Sequence, residues 1–255
     1  MALQIDACIA LHQGDRKEQQ DRVLLVPHPH GKGAMLAVLA DGMGGHTGGA
    51  LAAQQVIHTA KTNFSQFSIH DESPRFLLET CVQEAHLLIR ASRYLNEKDP
   101  HSTAVMFLLQ SRKASWIHCG DSRLYRFRNG RPYFKTHDHS FVQQLVSEGK
   151  ITPAQALTHP NRNILVTSLG GEDLPVVDFG ETGDIQNGDA FLLCSDGLWE
   201  YFSDEELAGV IGSCTAREAS NLLINWARNK AMGYGDNISL AIIRLTEGPG
   251  GETSL

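Results

Sequence analysis

Several features that would assign this chain of 255 residues to a large protein class are scarce or missing. Its five cysteines are odd in number and widely spaced, without a C-x-x-C pair that would indicate zinc or redox chemistry, so we expect small core residues. No apolar run approaches the ~20 residues of a membrane-spanning helix, and no basic and apolar signal segment is present. With 22 basic against 29 acidic residues, the net charge is -7. We therefore expect a cytoplasmic protein that binds neither nucleic acid nor membrane.

Zinc-peptidase chemistry also lacks support. None of the twelve histidines lies in an H-x-x-x-H or H-E-x-x-H arrangement.

The only local basic stretch, residues 123–131, contains four arginines around Asn129-Gly130. Asn-Gly between alternating residues predicts a hairpin turn with solvated arginines, and an interaction surface is the minority alternative.

The chain has 42% hydrophobic and 20% charged residues. This composition is typical of a globular chain that can bury a substantial core as one domain. Strand-like segments are broken by a few helix-like ones, which favours an α+β fold with largely antiparallel sheets covered by helices. The strand-like segments lie near 3–12, 22–26, 34–40, 103–110, 114–119, 122–128, 131–136, 176–181, 190–194 and 238–245. The helix-like segments are 48–62, 75–94 and two that begin at the capping boxes of Ser203 and Thr215.

One part of this predicted domain, which spans residues 1–246, differs from the rest. Residues 138–171 contain one short helix, Phe141 to Glu148, followed by a polar stretch with little strand signal. Long irregular excursions of this kind are often functional loops. The polar, Gly-rich residues 247–255 are expected to form a flexible tail.

Four aspartates lie far apart in the sequence, yet each stands where a predicted strand begins or ends. Asp41 and Asp196 each follow an apolar run, whereas Asp21 and Asp236 each precede a different one. In an antiparallel sheet the end of one strand lies beside the start of its neighbour, so the four can converge on one rim. Clustered carboxylates are the ligands that Mg²⁺ and Mn²⁺ prefer. For any single aspartate a turn is the stronger interpretation, but four in matching positions favour a metal site.

The local sequences around these aspartates are more specific than their positions. The strongest strings are Asp41-Gly42-Met43-Gly44-Gly45-His46, Ser195-Asp196-Gly197-Leu198-Trp199 and Gly235-Asp236-Asn237. Together they resemble the metal-dependent protein phosphatases of the PPM family, the type-2C Ser/Thr phosphatases, in their bacterial single-domain form. Further blocks match in the expected order at Gly120-Asp121-Ser122-Arg123, at Thr136 to Ser140 with Gly149 and Ile151, and from His159 to Gly170. Such an ordered set along nearly the whole chain is hard to obtain by chance.

The resemblance implies a four-layer α-β-β-α sandwich, in which a central, mainly antiparallel β-sandwich is flanked by helices and carries the active site at one end. It implies that Asp41 bridges two Mn²⁺ or Mg²⁺ ions. Asp196 and Asp236 would complete one ion, and the backbone carbonyl of Gly42 would contribute to the other, where a glycine lets the backbone approach closely. Asp21 would hydrogen-bond metal-bound water.

Two further site residues follow from the same resemblance. Asp121 matches a position associated with a third, weaker metal, although a turn aspartate in a hairpin connection is an equal alternative. Arg16 stands five residues before Asp21, as in the family's R-x-x-x-x-D block, and its planar fork suits bidentate contact with phosphate. A solvated loop arginine is the alternative, since residues 16–18 are all charged, but the correct spacing favours the phosphate role.

The chain departs from the family at two positions. Gln20 replaces a usual glutamate beside Asp21, which removes one negative charge and predicts weaker binding of the second ion. Met43 stands where eukaryotic relatives often carry a histidine proposed as general acid, so another group must protonate the leaving oxygen. A metal-bound water is the first choice and His46 the second.

The resemblance therefore implies a Ser/Thr phosphoprotein phosphatase that hydrolyses phosphoserine and phosphothreonine by direct attack of a metal-bridging water, without a covalent intermediate. Segment 138–171 corresponds to the family's flap, which we expect to help select substrates. The expected partners are phosphorylated proteins, made by a cognate Ser/Thr kinase, and the expected state is a monomer. A catalytically weakened regulatory module that binds phosphoproteins is the alternative, supported by Gln20. A small-molecule phosphohydrolase is a weaker third. The intact aspartates favour the enzyme, because clustered acids are costly without cations.

Overall fold

The structure, a computed structural model, describes residues 3–30, 33–44, 47–96 and 99–247. Within these residues two five-stranded antiparallel sheets face each other and helices cover their outer sides, which confirms the predicted four-layer α-β-β-α sandwich. The predicted tail, except for residue 247, lies outside the described residues, as does His46. No helix in the described ranges is long and apolar enough to cross a membrane.

The two sheets have the strand orders β1-β12-β11-β8-β9 and β10-β7-β6-β3-β2. Their strands are β1 (Leu3–His12), β2 (Arg22–Pro27), β3 (Ala34–Ala40), β6 (Ala104–Gln110), β7 (Lys113–Cys119), β8 (Arg123–Arg128), β9 (Arg131–Lys135), β10 (Asp178–Thr182), β11 (Asp189–Cys194) and β12 (Ile238–Glu247). A separate two-stranded pair joins β4 (Gly42–Met43) to β5 (His101–Ser102). The central strands are buried on both faces, which is why they occur as continuous apolar runs rather than alternating ones.

Three hydrophobic layers hold the sandwich together. The layer between the sheets contains Phe107 and Phe191, whose ring centroids lie 4.5 Å apart. One outer layer lies under α1 (Thr47–Gln66) and α2 (Pro74–Asn96), and the other lies under α6 (Asp204–Ser213) and α7 (Ala216–Ala231). The capping boxes predicted at Ser203 and Thr215 begin these last two helices.

Three further helices are short. They are α3 (Phe141–Ser147), α4 (Pro153–Leu157) and α5 (Asp196–Trp199). The sequence interpretation anticipated α3 but missed α4, although Thr152 and Gln155 form a capping box that could have revealed it. It missed α5 as well, because four residues carry too little periodicity to indicate a helix.

The basic stretch 123–131 forms the predicted hairpin between β8 and β9, with Asn129 and Gly130 at φ of 50° and 69°. The prediction that its arginines are solvated was wrong for Arg126 and Arg128, whereas Arg131 is exposed. Arg126 is only 5% exposed and lies 2.7 Å from the buried carboxylate of Asp189, which Arg128 also contacts at 2.8 Å. This acidic partner lies on a strand about 60 positions further along the chain, so the local sequence could not reveal the pairing.

Candidate metal centre

The aspartates at strand ends meet because both sheets are antiparallel. Arg22 lies opposite Ala40, so that Asp21 and Asp41 extend from neighbouring strands at the same edge. In the other sheet, Cys194 lies opposite Leu240, which places the segments carrying Asp196 and Asp236 side by side. The structure thus brings two strand ends and two strand starts to one end of the sandwich.

A cavity of about 610 Å³ opens at this end. Six of the seven residues predicted for the site line it, namely Arg16, Asp41, Gly42, Asp121, Asp196 and Asp236. Gln20 and Met43, where the chain departs from the family pattern, line it too, and the predicted flap contributes Asn163 and Leu165. The cavity therefore contains clustered acids beside one predicted phosphate-binding arginine.

Asp21, the seventh predicted residue, lies beneath the cavity rather than in its wall. Its side chain is buried, and its Oδ2 accepts a hydrogen bond of 2.8 Å from the hydroxyl of Ser195. Ser195 Oγ in turn accepts hydrogen bonds from the backbone N–H and the hydroxyl of Ser239, both at 3.1 Å. The other oxygen of Asp21 has no hydrogen-bond partner among the described residues. The sequence interpretation missed Ser195 and Ser239, although Ser195 belongs to the same string as Asp196.

Burial and mutual repulsion act together on these acids. Burial, followed by the charge of Asp21, raises the pKa of Asp41 well above its usual value. Burial and then the charge of Asp121 do the same to the pKa of Asp196. Burial is also the main cause that raises the pKa of Asp21 to about 6 and that of Asp121 to about 7. Divalent cations would relieve this repulsion, and carboxylate oxygens are the donors that hard cations prefer, so these residues fit Mn²⁺ or Mg²⁺.

Two glycines allow the backbone to close around the acids. A Cβ on Gly42 would lie 2.0 Å from the carbonyl oxygen of Gly49, at the start of α1. A Cβ on Gly14, whose φ is +67°, would lie 1.9 Å from the carbonyl oxygen of Asp236. Only glycine permits such close approach, so both loops depend on it for their position.

Arg16 reaches into the cavity from a loop, and the preceding residue, Asp15, anchors that loop. The carboxylate of Asp15 accepts two hydrogen bonds from Arg228, at 2.6 and 2.8 Å, and one of 2.7 Å from the backbone N–H of Gly235. Arg16 itself lies 2.5 Å from Asp236, and this hydrogen bond raises the pKa of the guanidinium. Asp15, which the sequence interpretation did not single out, thus positions both Arg16 and the loop of Asp236.

Asp121 lies between β7 and β8, which belong to different sheets. The alternative that placed it in a hairpin connection is therefore wrong. Its backbone carbonyl accepts a hydrogen bond of 3.0 Å from the indole of Trp199. Arg123 stacks on that indole and binds both carboxylate oxygens of Asp138 at 2.8 Å, so the start of the flap segment is fixed beside Asp121.

Comparison with known proteins agrees with this geometry. The sequence profile described as Protein phosphatase 2C matches residues 10–226. Protein phosphatase PhpP of Streptococcus pneumoniae is 31% identical over 221 residues, which cover 84% of this chain and 87% of that protein. The solved serine/threonine phosphatase of S. agalactiae is 27% identical with a TM-score of 0.86, and the match covers 96% of this chain and 100% of that one. The catalytic domain of the phosphatase PstP, solved with two manganese ions, is 28% identical with a TM-score of 0.79, again over 96% and 100% of the two chains.

Proposed function

This chain belongs to the Protein phosphatase 2C family, and from that premise we propose that it removes phosphate from phosphoserine and phosphothreonine in proteins with the help of two divalent cations. It is a metal-dependent Ser/Thr protein phosphatase rather than a binding module. The observation that carries the mechanism is the convergence of Asp41, Asp196 and Asp236 in one cavity beside Arg16.

The proposed roles are those that the family resemblance implies, and the positions of the residues support them. Asp41, Asp196 and Asp236 would hold the ions through their carboxylates, and Gly42 would hold one of them through its backbone carbonyl. When bound, the ions lower the pKa of a water for direct attack on phosphorus and stabilise charge on the phosphoryl group. Asp21, buried beneath the cavity with one unpartnered oxygen among the described residues, would orient the attacking water.

Arg16 is proposed to bind the phosphate oxygens of the substrate. Its side chain is 63% exposed at the cavity edge, so an incoming phosphate can reach it. A planar fork binds phosphate through two parallel hydrogen bonds, which also fixes its orientation. In the structure an ion pair with Asp236 holds the side chain at the cavity edge.

A third, weaker ion is proposed at Asp121, and both Mn²⁺ and Mg²⁺ suit the donor set. The support is that Asp121 lines the same cavity with a pKa raised to about 7, chiefly by burial and then by Asp138. An added cation would stabilise its charged form.

The flap is proposed to help select phosphoprotein substrates, because Asn163 and Leu165 reach the cavity wall. An exchange of residues 138–171 with those of a relative should change the preference among phosphopeptides, and unchanged preference would contradict the role. A cognate Ser/Thr kinase, a monomeric state, a cytoplasmic location and a single domain over residues 1–246 stay predictions.

A phosphothreonine peptide tests the proposed reaction. We expect phosphate release with Mn²⁺ and its loss on chelation. Activity should fall at least about 100-fold in Asp236→Asn, because replacing residues that only contact a metal ligand already reduces activity about 10–100-fold. Asp173→Asn makes the same chemical change at an exposed position outside the cavity and should remain active. Full activity of the chelated wild type would contradict the proposal.

A further inference from the structure

A second group of potential metal ligands lies at the base of the flap, apart from the carboxylate cavity. It consists of His118 on β7, His139 just before α3 and Asp178 at the start of β10. One ligand atom from each side chain lies within 4.8 Å of the others. None of the three lines the catalytic cavity.

The strand pairing explains why these residues meet. His118 and Asp178 are directly opposite each other in the antiparallel pair of β7 and β10, so their side chains project on the same face. The ring of His139 stacks on that of His118 with centroids 4.6 Å apart. The group therefore joins three segments: a central strand, the entry to the flap and the strand that follows it.

His118 has the hydrogen bonding typical of a metal-binding histidine. It is 2% exposed, and its Nε2 lies 2.9 Å from the backbone carbonyl of His137, which fixes the proton on Nε2. Its Nδ1 therefore carries a free lone pair and has no hydrogen-bond partner among the described residues. Burial lowers the pKa of this ring, which keeps it neutral and able to bind an ion. A ligating histidine commonly donates its other N–H to a carbonyl in this way.

The second histidine is also incompletely satisfied. His139 Nε2 lies 3.4 Å from the carboxylate of Asp178 but makes no aligned hydrogen bond within the described part of the chain. Two ligands about 2.1 Å from a tetrahedral zinc ion are separated by about 3.4 Å, so this pair already has the required spacing. Buried polar atoms without partners are uncommon and often mark an ion or water site.

We propose that His118, His139 and Asp178 bind a divalent ion such as zinc, with water as a fourth ligand, and that this ion fastens the start of the flap to β7 and β10. Two imidazoles and one carboxylate suit zinc, whereas Mg²⁺ and Mn²⁺ favour all-oxygen sites such as the catalytic cavity. In His139 the N–H of Gly120 donates to Nδ1 at 3.3 Å, which leaves the ring proton on Nε2. Binding moves that proton to Nδ1 and gives up this long hydrogen bond.

The test is a zinc count on the full chain. Metal-free protein is dialysed against excess Mg²⁺, which occupies the carboxylate cavity, together with a small molar excess of Zn²⁺, and bound zinc is measured by atomic spectrometry. We expect about one zinc per chain in the wild type and at least about tenfold weaker zinc binding in Asp178→Asn and His139→Gln. Asp178 has a side chain that is 63% exposed, so Asp178→Asn should fold even if His139→Gln does not.

Two controls decide where the ion lies. Asp173→Asn, a matched change five positions away, should keep the zinc, and so should Asp196→Asn, which disrupts the catalytic cavity. Zn²⁺ should also raise the unfolding temperature of the wild type but not of Asp178→Asn, because an ion that binds only the folded chain stabilises it. Absence of bound zinc in the wild type would overturn the proposal. A zinc ion retained in Asp178→Asn and lost in Asp196→Asn would also overturn it.

Discussion

Arg16 and Asp236 form an ion pair at the edge of the acidic cavity, with Nη2 of the arginine 2.5 Å from Oδ2 of the aspartate. The residue proposed to bind phosphate thus contacts a residue proposed to bind metal. A cation that took Asp236 would compete with Arg16 for the same carboxylate and would free the guanidinium for substrate. We therefore expect metal binding and phosphate binding to be linked through this pair.

Arg16→Ala should weaken substrate binding without weakening metal binding. Hydrogen bonds to charged groups contribute about 1.5–3 kcal/mol, so the KM for a phosphopeptide should rise roughly 10- to 150-fold. The pair itself is exposed and worth about 0–1 kcal/mol, so the apparent Mn²⁺ affinity should stay within about fivefold, with any change toward tighter binding. Steady-state kinetics at several Mn²⁺ concentrations measure both quantities.

Arg16→Lys is the matched control, because lysine keeps the charge but not the bidentate fork. It should recover only part of the lost KM. An unchanged KM in Arg16→Ala, with the loss confined to kcat, would contradict a role in phosphate binding.

Ser195→Ala tests whether the hydroxyl beneath the cavity positions Asp21. The change removes the 2.8 Å hydrogen bond to a carboxylate that is 1% exposed, so the pKa of Asp21 should rise further. We expect activity to fall roughly 10- to 100-fold and the free energy of unfolding to fall by about 1–3 kcal/mol. Ser213→Ala, which removes a hydroxyl at the end of α6, should leave activity unchanged. Wild-type turnover in Ser195→Ala would show that Asp21 needs no such partner.

Gln20→Glu should strengthen binding of the second ion. Gln20 lines the cavity, and a carboxylate there adds one negative charge near the proposed metals. A gain of about 1 kcal/mol in charge attraction would lower the Mn²⁺ concentration for half-maximal activity roughly fivefold. Gln20→Ala, which removes the amide without adding charge, should give no such gain. An equal metal requirement in wild type and Gln20→Glu would show that Gln20 does not weaken binding of the second ion.

The stability of the chelated protein should fall as the pH rises from about 5 to 7.5. Burial raises the pKa of Asp21 to about 6 and that of Asp121 to about 7, above the value of about 3.9 for an unfolded chain. In this range the folded state binds more protons than the unfolded state, so deprotonation favours unfolding. Metal ions need deprotonated carboxylates, so with Mn²⁺ the trend should weaken or reverse.

Thermal unfolding across this pH range, with chelator and with Mn²⁺, measures the effect. Asp121→Asn removes the group with the pKa of about 7. In the chelated protein it should make the fall in unfolding temperature near pH 7 less steep. A chelated wild type that becomes more stable between pH 5 and 7.5 would contradict the prediction.

Much of the fold was predictable because its signals are local. The run Ala34–Ala40 is apolar throughout since β3 is buried on both faces, and the caps at Ser203 and Thr215 are contained within four residues. The long-range partners were not predictable. Ser195 and Asp21 are 174 positions apart, and Arg126 is 63 positions from Asp189.

The sequence by itself determined the strands of the two five-stranded sheets, the main helices and the aspartates at strand ends, because hydrophobic periodicity, capping and turn chemistry act over a few residues. Only the tertiary structure decided that Asp21 lies beneath the cavity, that Arg16 pairs with Asp236 and that His118 meets His139 and Asp178. Those relationships depend on which strands pair and in which register. Burial then decides which of the assembled charged groups and ring nitrogens lack a hydrogen-bond partner. No local sequence pattern indicates which side chains will be buried in this way.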